Sequence, residues 1–250
     1  MQQNIPVLEH EFHVHSFEVD LLKHLTVQNI CKYFQEAAWK HAESLGVGFS
    51  DLIPKGKLWV LSRIAISISR LPQWGETIKL RTWPCGFKSV FAQREFEIID
   101  SEDRAIISGS SAWIIIDKNS RRPQRVEQFT SRIPEVSNKN RFGIEALKVG
   151  EIKDKDQGMI VRSVYSDLDM NGHVNNTRYI GWAIDTYNKE FHLTHQLRNL
   201  YVNFLNETDI EEQLEIQTKK TGVQTYLHSI KRVRDNVETC RIEMLWDQMN

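Results

Sequence analysis

The 250-residue chain holds only three cysteines, Cys31, Cys85 and Cys240, far apart and without a C-x-x-C pair. That odd count and wide spacing argue against a disulfide framework or a zinc knuckle, and suit a reducing compartment where the three serve as small core residues. No apolar run approaches the roughly 18 residues that span a bilayer, and Met1-Gln2-Gln3-Asn4 starts no basic-then-apolar leader. A cytoplasmic protein without membrane insertion is expected. Charge of one sign is missing too: the formal net charge is -1, which gives no global attraction for nucleic acid and leaves any charged partner to a local patch. There is no Gly-rich phosphate loop, G-x-S-x-G elbow or H-E-x-x-H, and neither a cofactor nor a metal is expected.

What is present, 40% hydrophobic and 26% charged residues, is the balance of a chain that packs a core. The length admits one large domain or two of about 100 to 150 residues, and the order of patterns favours two. Alternation from His10 to Val19 predicts a half-buried strand. From Val27 the period changes: Val27, Ile30, Cys31, Phe34, Ala38, His41 and Leu45 form one stripe on a helix ended by Gly46. Four strand-like runs follow, Leu58 to Ile68, Glu76 to Trp83, Val90 to Ile99 and Ala105 to Ile116, with turns expected at Pro72-Gln73-Trp74-Gly75, Pro84-Cys85-Gly86 and Asp100 to Arg104.

Lys118 to Gly158 has little periodicity and reads as a connection. The plan then repeats: a strand at Met159 to Tyr165 and a helical stripe at Ile180, Ala183, Ile184, Tyr187 and Phe191. Strand runs follow near Leu197 to Leu205, Gln213 to Thr218, Thr225 to Val233 and Thr239 to Trp246. An ungapped shift of 147 residues matches Val14 to Val161, Ser16 to Ser163, Asp20 to Asp167, Leu21 to Leu168, Val27 to Val174 and Asn29 to Asn176. The expected organisation is an N-terminal unit over 1–130, a connection over 131–157 and a C-terminal unit over 158–250. Each unit would be α+β, a long helix wrapped by an antiparallel sheet, in the tandem (double) hotdog arrangement. Side by side, two such units would pair their sheets and leave a cleft between helix and sheet. The pairing that single units obtain by dimerising would then exist within one chain, so a monomer or a homodimer is admissible.

The densest polar segment is Ser166-Asp167-Leu168-Asp169-Met170-Asn171-Gly172-His173-Val174-Asn175-Asn176, just before the second helix. One reading is helix capping, since Asp and Asn satisfy the backbone N–H groups that a helix start leaves unpaired. The other is chemistry. The 147-residue shift sets Leu22, His24 and Thr26 opposite Asp169, Asn171 and His173, so the polar set stands in one copy. A cap would serve both copies, whereas a single active site is needed once.

These residues resemble the acyl-acyl carrier protein thioesterases, in particular the bacterial branch related to the plant fatty acid chain-terminating enzymes. In the first half the resemblance rests on Gln35-Glu36-Ala37-Ala38 with His41, Trp59-Val60-Leu61-Ser62-Arg63, Arg81-Thr82-Trp83-Pro84, Arg94-Glu95-Phe96 and Ser110-Ser111-Ala112-Trp113-Ile114-Ile115-Ile116-Asp117. In the second it rests on Asp167 to Asn176 followed by Tyr179-Ile180-Gly181-Trp182. It implies a D-x-N-x-H catalytic pattern on Asp169, Asn171 and His173, and an acyl carrier protein partner. Plant relatives complete the site with an acidic residue in an Arg-Glu-Cys segment. Here the stretch is Phe204-Leu205-Asn206-Glu207, so Glu207, two positions late but on the same sheet face, is the expected stand-in, and a cysteine nucleophile is disfavoured.

The residue types suit hydrolysis of a thioester of long-chain acyl-acyl carrier protein. Attack of water builds charge on the carbonyl oxygen, which N–H groups around His173 and Val174 and the Asn171 amide would stabilise. A thiol leaving group, with a reference pKa near 8.5, needs little protonation, so the task is to activate water. His173 and Glu207 are the candidate bases, with Asp169 orienting His173 or a backbone amide. The same chemistry on coenzyme A thioesters, a hydratase or dehydratase, and a non-catalytic acyl-binding protein are the alternatives.

Elsewhere, His10, His13 and His15 read as surface or edge residues rather than metal ligands. Gln35, Glu36 and His41 are expected at a domain interface, and Trp59, Trp83, Trp113 and Trp182 in the core. Arg121, Arg122, Arg125, Lys219, Lys220, Lys231, Arg232 and Arg234 are solvated charge by default, with docking of an acidic carrier protein as the second reading.

Overall fold

The computed structural model describes residues 6–125, 133, 143–152 and 158–249. Two compact units emerge, Met1–Ala146 and Leu147–Asn250. Of the connection expected over 131–157, residues 131, 132, 134–142 and 153–157 lie outside the described residues.

In the first unit the strands are β1 (Leu8–His13), β2 (Lys57–Ile68), β3 (Thr77–Lys88), β4 (Phe91–Ile99) and β5 (Ala105–Asp117). They pair in the order β1-β3-β4-β5-β2, all antiparallel. The alternation through Val19 ends early: β1 stops at His13 and Ser16–Glu18 form a 3-10 turn, closed by Glu18 Oε2 accepting the His15 N–H at 2.8 Å. Helix α1 (Val27–Ser44) follows, and Val27, Ile30, Cys31, Phe34, Ala38 and His41 of the expected stripe are buried. Phe34 stacks on Phe96 of β4 at 4.3 Å and Tyr33 on Phe12 of β1 at 4.2 Å, so one helix face covers the sheet. His41 is fully buried, its Nδ1 3.0 Å from Arg94 Nη1 of β4. A short helix α2 (Phe49–Leu52) completes the unit.

The turn expected at Pro84-Cys85-Gly86 is instead part of β3. Cys85 is the extra residue where the register with β4 shifts between Pro84 and Gly86, and Gly86 has φ 99°. A bulge tolerates proline, which has no N–H for the ladder, and the chain reverses later, at Ser89 with φ 60°.

The second unit repeats the plan with β6 (Met159–Arg162), β7 (His195–Phe204), β8 (Gln213–Lys220), β9 (Thr225–Arg232) and β10 (Glu238–Gln248), ordered β6-β8-β9-β10-β7. Its strand, too, gives way to a 3-10 turn, Tyr165–Asp167. The helical stripe from Ile180 to Phe191 is broken into α3 (Asn176–Ile184) and α4 (Lys189–Thr194). Thr186 donates its hydroxyl to the Ala183 carbonyl at 2.7 Å, and Asn188 Oδ1 accepts the Phe191 N–H at 2.9 Å to start α4. Local side-chain bonds of this kind compete with the helix and end it.

The two copies are in a different register from the one read by identity. A shift of 149, not 147, relates the turns Ser16–Glu18 and Tyr165–Asp167, the isolated bridges Val19↔Leu25 and Leu168↔Val174, and the N-caps Thr26 and Asn175. Six coincidental identities outscored the true register because hydrogen bonding, not residue identity, defines it.

Candidate active site

The polar segment folds as a tight loop between the 3-10 turn and α3. Asp169 Oδ1 accepts the Asn171 N–H at 2.8 Å, Asp169 N–H donates to the His173 carbonyl at 2.9 Å, and Gly172, at φ 83°, turns the chain. Asp169 is thus spent on a backbone amide. Asn175 is the helix cap: its Oδ1 accepts from Thr177 N at 2.9 Å. Asp167, 3% exposed, accepts the Val164 N–H at 2.9 Å and pairs with Arg178 Nε at 2.7 Å. Capping and loop closure therefore account for Asp167, Asp169 and Asn175.

The corrected register changes what is unique to this copy. Asp20 now stands opposite Asp169 and His24 opposite His173, and Asp20 Oδ1 accepts the Leu22 N–H at 2.8 Å just as Asp169 Oδ1 accepts that of Asn171. The expectation that the first copy lost the whole polar set is corrected: of Asp169, Asn171 and His173, only Asn171 is replaced, by Leu22. Sequence alone carried a signal for this, the Asp-x-x-x-His spacing common to Asp20…His24 and Asp169…His173.

A second loop, after β7, meets the first. Glu207 lies beyond the end of β7 at Phe204, so it reaches the site from a loop and not from a sheet face. His173 stands between two carboxylates, Nε2 3.2 Å from Glu207 Oε2 and Nδ1 3.1 Å from Asp209 Oδ1. Asp209 is a site residue beyond the nearest carboxylate, and the signal for it in the sequence is Glu207-Thr208-Asp209 itself. The side chains of His173, Glu207 and Asp209 are 33%, 40% and 59% exposed, and pairs so open to water contribute only about 0–1 kcal/mol to stability. Water reaches the imidazole directly.

The loop's backbone is held at three successive carbonyls. Glu207 O accepts Arg232 Nη1 at 3.0 Å, Thr208 O accepts Val174 N–H at 2.9 Å, and Asp209 O accepts Ser163 Oγ at 2.7 Å. One consequence corrects the oxyanion expectation, because the Val174 N–H is already bonded. Asn171 sits at the exposed tip of its loop, and the same loops display Tyr165, Met170 and Ile210, 83%, 81% and 43% exposed. Exposed apolar side chains around a polar centre suit an apolar ligand.

Arg232 and Arg234 belong to this scaffold rather than to a free patch, since Arg234 Nη1 pairs with Glu212 at 3.0 Å. Burial pushes the Cys31 thiol up to about 12 and Cys240 well above its ordinary range, so neither is a thiolate nucleophile. His10 faces Lys40 at 3.2 Å and His13 faces Thr77 at 3.2 Å, two separate contacts on an edge strand. Trp83 and Trp182 are buried, Trp59 and Trp113 half-buried. Among the described residues no helix is long and apolar enough to cross a membrane.

Residues 6–132 match the family profile of the acyl-ACP thioesterase N-terminal domain, and residues 151–248 that of the C-terminal domain. The chloroplastic oleoyl-acyl carrier protein thioesterase of Coriandrum sativum is 30% identical over 83% of this chain and 61% of its own length. The chain therefore spans about three fifths of that relative. A solved acyl-ACP thioesterase from Bacteroides thetaiotaomicron superposes with TM-score 0.86 at 24% identity, over 99% of this chain and 100% of that one. The 12:0-ACP thioesterase of Umbellularia californica does so with TM-score 0.85 at 20% identity, over 97% and 98%. Likeness at these identities shows the fold, the tandem α+β hotdog expected from the order of elements.

Proposed function

Because the chain belongs to the acyl-acyl carrier protein thioesterase family, we propose that it hydrolyses the thioester of a long-chain acyl-acyl carrier protein to free fatty acid and carrier protein. The observation that carries this reading is His173 beside Glu207, 3.2 Å apart, at the loop that presents Asn171. A water molecule gives its proton to the Glu207 and His173 pair as its oxygen bonds to the acyl carbon. Charge develops on the carbonyl oxygen, and the neutral Asn171 amide is the donor that meets it, the Val174 N–H being occupied. The carbon–sulfur bond then breaks, and the carrier's pantetheine sulfur leaves as a thiolate that takes up a proton. Asp169 serves the site by shaping the loop. The acyl chain lies against the exposed apolar side chains of the same loops, Tyr165 and Met170 among them.

The carrier protein is the proposed partner, with the exposed Lys219 and Lys220 as contacts for its acidic surface. The reaction takes place in the cytoplasm.

A hydrolysis panel over acyl lengths, on carrier-protein and coenzyme A thioesters, tests the reading. Release of fatty acid and thiol from the carrier-protein substrates is expected, with Asn171→Ala lowering turnover by about a hundredfold and Glu207→Ala by a similar factor. No release at any length by folded protein would overturn it, and faster turnover of coenzyme A thioesters would reassign the carrier.

A further inference from the structure

Resting on that reading of the site, we infer that Asp209 is a positioning residue, which holds His173 by Nδ1 and so keeps Nε2 as the ring's proton-accepting atom beside Glu207. A neutral imidazole has one N–H, and a carboxylate only accepts, so Glu207 and Asp209 compete for that single proton from opposite sides of the ring. With the proton committed to Asp209 through Nδ1, the Nε2 lone pair stays available. Without Asp209 the ring gives its N–H to Glu207, so Nε2 no longer carries a lone pair and the Oε2 that faces it is occupied.

The comparison of the two copies isolates Asp209 from scaffolding. Leu25 N–H donates to Pro72 O at 2.8 Å as Val174 N–H does to Thr208 O at 2.9 Å, and Val14 N–H to Glu76 O at 2.9 Å as Ser163 N–H does to Glu212 O at 3.0 Å. These matched bonds set Leu71 opposite Glu207 and Gln73 opposite Asp209. The first copy thus closes the same pair of loops, and keeps the histidine, with no carboxylate at either position. The Asn171 amide and the carboxylates of Glu207 and Asp209 stand in the second copy and not in the first, although the loop-closing bonds are common to both, so Asp209 is not needed to close the loop.

Asp209 springs from a backbone held at its own carbonyl by Ser163, which is fully buried, and at the preceding carbonyl by Val174. A carboxylate on such a base aims one oxygen at Nδ1 without the loop having to order itself, which is how an exposed side chain can set a ring's tautomer.

The test combines kinetics on a long-chain acyl-acyl carrier protein with 15N NMR of His173 in the full chain, for wild type, Asp209→Asn and Asp209→Gln. The glutamine variant installs the residue the first copy carries at that place, so folding is retained by precedent within the same protein. Expected are an Nδ1–H ring in the wild type, a shift toward Nε2–H in both variants, and at least a tenfold fall in kcat with KM within about twofold. A ring that stays Nδ1–H in both variants overturns the inference, whatever happens to turnover. So does a shifted ring with unchanged kcat. If the wild type hydrolyses nothing yet its ring shifts on substitution, the hydrolysis reading fails and the positioning role stands.

Discussion

Val174 donates its backbone N–H to the Thr208 carbonyl at 2.9 Å, stitching the loop that carries Asn171 and His173 to the loop that carries Glu207 and Asp209. The bond uses the Val174 amide, so a free donor is exchanged for a fixed geometry. Backbone bonds of this kind hold side chains in place without being visible in residue identity, and the first copy makes the same one between Leu25 and Pro72.

Asp20 and Asp169 are predicted to stabilise their loops in the same way, and Asp20 more so, since its Oδ1 also accepts the His24 N–H at 2.9 Å. Each Oδ1 accepts the N–H of the residue two positions on, at 2.8 Å, and a net hydrogen bond of that type contributes about 1 kcal/mol. Asp20→Ala and Asp169→Ala should both lower the thermal midpoint, Asp20→Ala by the larger amount, read by circular dichroism. If Asp169→Ala instead abolished turnover with an unshifted midpoint, Asp169 would take part in the chemistry and the loop-shaping role would be wrong.

Gly109, on β5, is the seat of Phe34. An added Cβ would collide with the Phe34 ring, which is itself stacked on Phe96, leaving no room to move. Gly109→Ala is expected to destabilise the first unit by about 1–3 kcal/mol through overpacking. A chemical denaturation series measures this, and the double change Gly109→Ala with Phe34→Leu should recover part of the loss.

His228 makes stability depend on pH. The ring is 1% exposed, bonded to Tyr187 Oη at Nε2 and Thr218 Oγ1 at Nδ1, both 2.9 Å, and burial pushes its pKa down to about 3. The unfolded chain therefore binds a proton, at about 6.5, that the folded chain refuses. Stability from this group is full above about 6.5 and falls as pH drops from there toward 3, by a limit on the order of 5 kcal/mol. Denaturation midpoints between pH 7 and 5, before the carboxylates titrate, should slope downward in the wild type and be flatter in His228→Gln. Equal slopes would place the acid sensitivity elsewhere.

Local pattern made much of this legible. The stripe from Val27 to His41 and the strand runs at Leu58 to Ile68 and Ala105 to Ile116 are periodicities of neighbouring residues, and the elements came out within a residue or two. Errors fell where a local device overrode the period: the bulge at Cys85, and Thr186 with Asn188 breaking the second helix.

By itself the sequence determined the α+β class, the duplicated plan and a polar cluster before the second helix, because each is written in residues close along the chain. Only the tertiary structure decided the 149-residue register and the partners of His173. Asp209 lies 36 residues beyond that histidine, and their meeting depends on the N–H and carbonyl groups common to every residue, whose pairing becomes definite when the two loops are folded against each other.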